Sequence, residues 1–211
     1  MIVNNHQGDK ILQNFLLIFL NCILCFFLSN NLFINNLTLY KLKRIQIGVI
    51  GYNHNSLPSK TLDIAYDVGK EIAKKNAVLI CGGLGGVMEY ACKGAKDYGG
   101  LTVGIVPQNN PLEANIFCDI VISTGIGKSR DFLVSYSSDG IISVGGGVGT
   151  LIELCVGYMT KKIMVSIEDS GGTSEIYGGK FLDERKLVLI EKYRSPGQAV
   201  DYIINSLQKK I

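Results

Sequence analysis

Histidine is nearly absent from this 211-residue chain, and the two present, His6 and His54, stand too far from other ligands in sequence to build a metal site. No segment matches G-x-x-x-x-G-K-[ST], which argues against an NTPase P-loop. GGLGGV at Gly82–Val87 departs from G-x-G-x-x-G, and no acidic residue ends the following strand to take a ribose, so NAD is disfavoured. No internal repeat is present. The six cysteines form no framework. Cys22 and Cys25 make a C-x-x-C without a second pair or a nearby histidine, a poor zinc pattern. Cys81, Cys92, Cys118 and Cys155 each stand singly in strand or helix patterns and read as small core residues, so no metal is expected. Free thiols of this kind suit a reducing cytoplasm, the expected location.

The body of the chain also lacks net charge. Residues 1–44 carry Lys10, Lys41, Lys43 and Arg44 against Asp9, leaving 17 basic and 17 acidic residues for 45–211. Nucleic-acid binding rests on phosphate neutralisation by Lys and Arg, so no nucleic-acid partner is expected. Glycine divides the chain the same way, with 24 of 25 residues in 45–211. The expected organisation is an atypical hydrophobic arm, 1–44, and one domain, 45–211, of a size that buries a sizeable core.

Within the arm, Ile11–Leu28 is an apolar run of 18 residues interrupted by Gln13, Asn14, Asn21, Cys22 and Cys25. That is near the minimum for a membrane span. Lys10 precedes it as in a signal peptide, but no clear small-x-small cleavage site follows. Three readings stay open: a weak anchor that tethers the chain to a membrane, an uncleaved signal, or a segment upstream of the real start. Its Asn, Ile, Leu, Phe and Lys content is what A/T-rich codons yield and favours the third. Membrane contact is expected only if 11–28 is a real anchor.

The body alternates strand and helix. Strands are predicted at Ile45–Gly51, Val78–Cys81, Leu101–Val106, Ile120–Ser123, Gly140–Val144, Ile163–Ile167 and Leu187–Ile190. Helices are predicted at Ser59–Lys75, about Val87–Asp97, near Ser129–Ser138, after Gly147, and at Ser195–Ile211 with Pro196 in its first turn. Most strands are apolar throughout, as in a parallel sheet covered on both faces. The expected fold is α/β: a three-layer Rossmann-like domain with a mainly parallel central sheet. Glu168–Lys180, with four glycines, reads as a mobile loop or lid.

Ligands of such sheets bind beyond the carboxyl ends of the strands. Four segments converge there: Gly51–Ser56, Gly82–Gly86 with Glu89 in the next helix, Gly127–Arg130, and Gly145–Thr150. The last belongs to GGGVGTLIE, Gly145–Glu153, the most informative stretch of the chain. Gly145, Gly146, Gly147 and Gly149 bring no Cβ between backbone and ligand, and the helix that follows offers free N–H groups to an anion. Thr150 adds a hydroxyl. Glu153 shares their helix face, where a carboxylate would repel phosphate. It either favours its own helix dipole or serves as a ribose-binding or catalytic group. Gly82, Gly83, Gly85 and Gly86 form the second cradle, while Glu89 reads first as a helix-start acid. Ser129 is placed to cap a helix whose first turn holds Arg130. Arg130 is either a solvated surface residue or a forked donor to phosphate or carboxylate, held by Asp131.

These motifs, GGLGGVMEYACKGAKDYGGLTVGIVP at Gly82–Pro107, Arg130–Asp131 and GGGVGTLIE, resemble the SLOG Rossmannoid superfamily. The similarity spans about Ile45–Ile167 and is greatest to the branch that includes molybdenum cofactor carrier proteins. The superfamily also holds the Lonely-Guy phosphoribohydrolases, long mislabelled lysine decarboxylases, and the DNA-processing protein DprA. The resemblance implies a nucleotide-like ligand and a homo-oligomer, commonly a dimer. Arg130 and Glu153 match the catalytic arginine and glutamate positions of the hydrolases. Gly145 replaces the proline of their PGGxGTxxE, and Asp131 stands where hydrolases have lysine and carriers usually asparagine. No lysine stands in a Schiff-base context, so neither pyridoxal phosphate nor lysine decarboxylation is implied.

Two functions follow as expectations. The first is binding of a nucleotide or phosphorylated cofactor such as the molybdenum cofactor. The second is hydrolysis of the N-glycosidic bond of a nucleoside 5′-monophosphate, with Glu153 stabilising the cationic ribose and Arg130 fixing the phosphate.

Overall fold

A computed structural model describes residues 44–54 and 57–209. Seven parallel strands form one sheet in the order β4-β3-β2-β1-β5-β6-β7. They are β1 (Gln46–Gly51), β2 (Val78–Cys81), β3 (Leu101–Val106), β4 (Ile120–Ser123), β5 (Gly140–Val144), β6 (Ile163–Ile167) and β7 (Ile190–Tyr193). The helices are α1 (Ser59–Lys74), α2 (Val87–Asp97), α3 (Asp131–Ser137), α4 (Val148–Met159), α5 (Gly172–Tyr177) and α6 (Pro196–Gln208). The expected Rossmann-like architecture is what forms.

The strands are apolar at successive positions because both faces are covered. On one face Ile47, Val49, Leu79, Ile142 and Val165 meet Ala65, Val68 and Ile72 of α1, Ala91 and Ala95 of α2, and Val200 and Ile203 of α6. On the other, Ile50, Ile80, Ile105, Ile141 and Met164 meet Val134 of α3 and Leu154 and Tyr158 of α4. Residues 47 and 50 fall on opposite sides because side chains alternate along a strand. Helices α1 and α2 pack closely enough that a Cβ on Gly69 would lie 1.9 Å from Ala91 O.

Strand order reverses at β1 and β5, where Gly51 pairs with Val144. The ends of these two strands therefore diverge into the loops that open a crevice at the topological switch point.

Three local expectations are corrected. The apolar run Leu187–Ile190 is not the last strand: pairing with β6 begins at Met164↔Ile190, and the Leu187 N–H is taken by Tyr158 Oη at 3.0 Å. Ser129 does not cap a helix; Gly127–Arg130 is a 3₁₀ turn that runs directly into α3. Glu168–Lys180 is no lid. It contains α5, and Ser170, Thr173 and Ser174 are buried.

Among the described residues no helix is long and apolar enough to cross a membrane. The run 11–28, and Asn55–Ser56 of the first loop, lie outside the described residues.

Candidate functional site

The crevice holds a cavity of about 390 Å³. This falls in the range of roughly 300–1,000 Å³ common to small-molecule sites. Gly147–Thr150, Ile152 and Glu153 from α4 and its cap form one wall, and Lys128, Arg130 and Asp131 another. Gly51–Asn53, Leu84, Met88 and Pro107 complete it.

The four glycines of the α4 turn do different jobs. Gly145 and Gly146 have φ of 60° and 100°, and a Cβ on Gly146 would lie 2.4 Å from Thr150 Oγ1. The fold itself requires glycine there. Gly147 caps α4 with φ −118°. A Cβ on Gly147 would meet nothing nearer than Tyr52 Cε1 at 3.9 Å, and one on Gly149 nothing nearer than Asp131 Oδ2 at 3.6 Å. Both line the cavity, so the space that their missing side chains leave belongs to it. No side chain caps α4. Its first-turn N–H groups have no partner within the helix, the arrangement that makes a helix N-terminus able to hold an anion.

The segment that follows β6 braces this turn from behind. Gly145 N–H donates to Ser170 Oγ at 2.9 Å, and Ser174 Oγ donates to Gly145 O at 2.7 Å. Thr173 Oγ1 donates to Gly147 O at 2.9 Å.

Arg130 is buried, not a solvated surface arginine. Its Nη2 donates to Gly82 O at 3.0 Å, and its Nη1 pairs with Asp131 Oδ1. Nε of Arg130 and Oγ1 of Thr150 are buried without a hydrogen-bond partner. Buried polar groups are rarely left so, and both residues line the cavity. Glu153 is buried too. Burial first, and then the Asp131 carboxylate, push its carboxyl well above the ordinary range against the pull of Arg130. Burial also raises Asp131, while Arg130 and Lys128 oppose it. A protonated Glu153 donates a hydrogen bond, which removes the repulsion that a carboxylate at this turn would bring to an anion.

Arg130, Gly147, Gly149, Thr150 and Glu153 therefore come together in one cavity, while Gly145 and Gly146 shape the turn beneath. The second glycine segment reaches this cavity only through Leu84. Gly82 carries the Arg130 guanidinium, and Gly83 and Gly86 adopt positive φ against Val106 and the Tyr52–His54 backbone. Gly82, Gly83, Gly85, Gly86 and Glu89 are absent from the cavity lining. Tyr52, Lys128 and the apolar wall of Leu84, Met88 and Ile152 do line it. Tyr52, Leu84 and Lys128 fall within the segments expected to converge here, while Met88 and Ile152 read only as helix residues. A larger cavity of about 490 Å³ lies between Leu57–Thr61 and Asp169–Gly171. It holds none of the expected site residues, and Lys60 on its wall is paired to Asp169 at 3.2 Å.

Cys81 and Cys92 are buried core residues, as expected, and Cys118 packs against the same core. What the sequence spacing does not reveal is that their three sulfurs all lie within 4.8 Å of one another.

Residues 44–199 match the SLOG cluster4 family. The chain belongs to that family. A protein of Archaeoglobus fulgidus is 42% identical over 171 residues, 80% of this chain and 100% of the relative. Among solved structures, the molybdenum cofactor binding protein of the phototrophic bacterium Rippkaea orientalis is 31% identical with a TM-score of 0.70. The molybdenum cofactor carrier protein of Chlamydomonas reinhardtii is 32% identical with a TM-score of 0.68. Each of these two matches covers 79% of this chain and 99% of the other.

Proposed function

We propose that this SLOG cluster4 protein binds the molybdenum cofactor, or a nucleotide-like relative of it, as a carrier, with the ligand's phosphate on the Gly147–Thr150 turn. The observation that carries this reading is the pair Gly147 and Gly149: glycines that no neighbouring atom demands, at the open N-terminus of α4. The cofactor's anionic phosphate suits that cradle. The two orphaned buried groups, Arg130 Nε and Thr150 Oγ1, supply donors beside it. Tyr52 and the wall of Leu84, Met88 and Ile152 offer apolar surface to the pterin ring. Glu153 then orients the ligand as a hydrogen-bond donor. The bound group would supply its own molybdenum and sulfur chemistry; the protein's part is to hold and shield it.

The exposed apolar residues of α3 and α4 support a homodimer. Phe132 and Tyr136 on α3 and Val148, Ile152 and Met159 on α4 are 38–78% exposed, and the α4 set recurs at helical spacing. A second copy on this face would also cover the Val148–Ile152 rim of the cavity. Light scattering on the eluted protein tests it: a dimer mass is expected, and a monomer at micromolar concentration contradicts it.

A second reading has its own observation, the meeting of Arg130 and Glu153 in one cavity, which is the pair a phosphoribohydrolase would use. It needs an ionised Glu153 facing a cationic ribose, whereas the surroundings of Glu153 favour the neutral form. Release of free adenine from AMP separates the two. The carrier reading predicts none at neutral pH; steady turnover that Glu153→Gln abolishes establishes the hydrolase instead.

A further inference from the structure

Cys81 ends β2, Cys92 lies in α2, and Cys118 stands in the loop that leads into β4. Three separate elements thus deliver one sulfur each to the same place. Cys81 Sγ and Cys92 Sγ are 3.4 Å apart, and Cys92 Sγ and Cys118 Sγ 3.9 Å. Three sulfurs bound tetrahedrally to one ion at about 2.3 Å stand ~3.8 Å from one another. The observed separations bracket that value. The backbone around the cluster is fitted to sulfur as well. Gly83 N–H donates to Cys81 Sγ at 3.3 Å. A Cβ on Gly104 would lie 2.6 Å from Cys118 Sγ, so the bare glycine of β3 makes room for it. Cys118 N–H donates to Asn115 O at 3.2 Å, which fixes the backbone that carries the third sulfur. An N–H donor such as that of Gly83 orients a thiolate and offsets its charge in metal sites. Cys81 and Cys92 are fully buried while Cys118 is only partly so, which leaves an approach from the loop side.

We infer that Cys81, Cys92 and Cys118 form a site for one thiophilic d¹⁰ cation, Zn(II) or Cu(I), held by three thiolates outside the ligand cavity. Thiolates select these ions over hard cations. Cu(I) is satisfied by three sulfurs, and Zn(II) completes its tetrahedron with a water on the Cys118 side. Binding replaces the thiol protons, which pass to solvent. No electron is transferred. None of the three sulfurs lines the cavity, so the site stands or falls independently of the carrier reading.

Co(II) is the probe. The full chain carrying C22S and C25S, which removes the arm's C-x-x-C, is reduced, freed of metal and titrated with Co(II). The expected result is a thiolate-to-cobalt charge-transfer band that saturates at one equivalent and is erased by Zn(II) or Cu(I). Cys92→Ala and Cys118→Ser should each weaken Co(II) binding by about 100-fold or more, beyond what loss of an outer-shell partner does. Cys155→Ala, on α4, should leave the titration unchanged. If Cys92→Ala does not fold, the partly exposed Cys118→Ser decides, with circular dichroism confirming its fold. Absence of the band with all four remaining thiols reduced overturns the site, as does a band that folded Cys118→Ser retains.

Discussion

The guanidinium of Arg130 rests directly on Gly82: Nη2 donates to Gly82 O at 3.0 Å, and a Cβ on that glycine would stand 2.5 Å from the same nitrogen. The first glycine after β2 thus seats a cation of the cavity wall. With Nη2 on Gly82 and Nη1 on Asp131, the buried Nε is the guanidinium nitrogen without a partner.

Gly82→Ala should therefore displace Arg130 from the cavity wall. A cost of about 1–3 kcal/mol in stability is expected from overpacking. Affinity for a phosphorylated ligand should fall by at least the same factor as in Arg130→Ala. Calorimetric titration of both variants checks it; wild-type affinity in Gly82→Ala would show that Arg130 needs no seat.

The two classes of glycine in the α4 turn should separate in thermal unfolding. Gly146→Ala meets a positive φ of 100° and the Thr150 side chain, and should lower Tm by several degrees. Gly147→Ala meets open space at a negative φ of −118° and loses only a few tenths of a kcal/mol to about 1 kcal/mol as a cap. Equal Tm losses would mean that Gly147, too, is demanded by the fold.

Ser170→Ala should destabilise the domain by about 1–3 kcal/mol, because it leaves the buried Gly145 N–H without its acceptor. The brace positions the turn, so ligand affinity should fall with it. Denaturant unfolding and ligand titration together test this. A variant that keeps both would restore the reading of 168–180 as a mobile loop.

Much of this was legible in the sequence, and the exceptions have physical causes. The strand and helix alternation is carried by apolar runs and glycine turns, which local pattern reveals. The gathering of Arg130, Thr150 and Glu153 follows from strands pointing the same way. The brace was hidden because Ser170, Thr173 and Ser174 are polar residues among glycines, a composition that reads as loop until their hydroxyls meet the Gly145–Gly147 backbone. The cysteine cluster was hidden because its members are 11 and 26 residues apart on different elements. The role of Gly82 depends on Arg130, 48 residues away.

Glu153 should leave a pH signature. Its carboxyl is raised in the fold by burial and by Asp131. Between the ordinary carboxylate value and that raised value, the folded state holds a proton that the unfolded chain has lost. Stability contributed by the protonated form is full below this window and declines as pH rises through it. Asp131, also raised by burial, adds to the same slope. Glu153→Gln, which stays neutral, should gain Tm relative to wild type as pH increases from 5 to 8. A constant difference across that range would place Glu153 in its charged form throughout.

The central claim is that a phosphorylated cofactor sits on the Gly147–Thr150 turn, and titration of wild type and Gly147→Val with molybdenum cofactor tests it most directly. The valine fills cavity space that no protein atom occupies, so the variant should keep its fold by circular dichroism and lose binding by about 100-fold or more, as expected when a backbone phosphate contact is blocked. AMP and inorganic phosphate, titrated alongside, show whether the phosphate alone is recognised. Wild-type affinity in a folded Gly147→Val, or no binding of any phosphorylated ligand by wild type, would contradict the account.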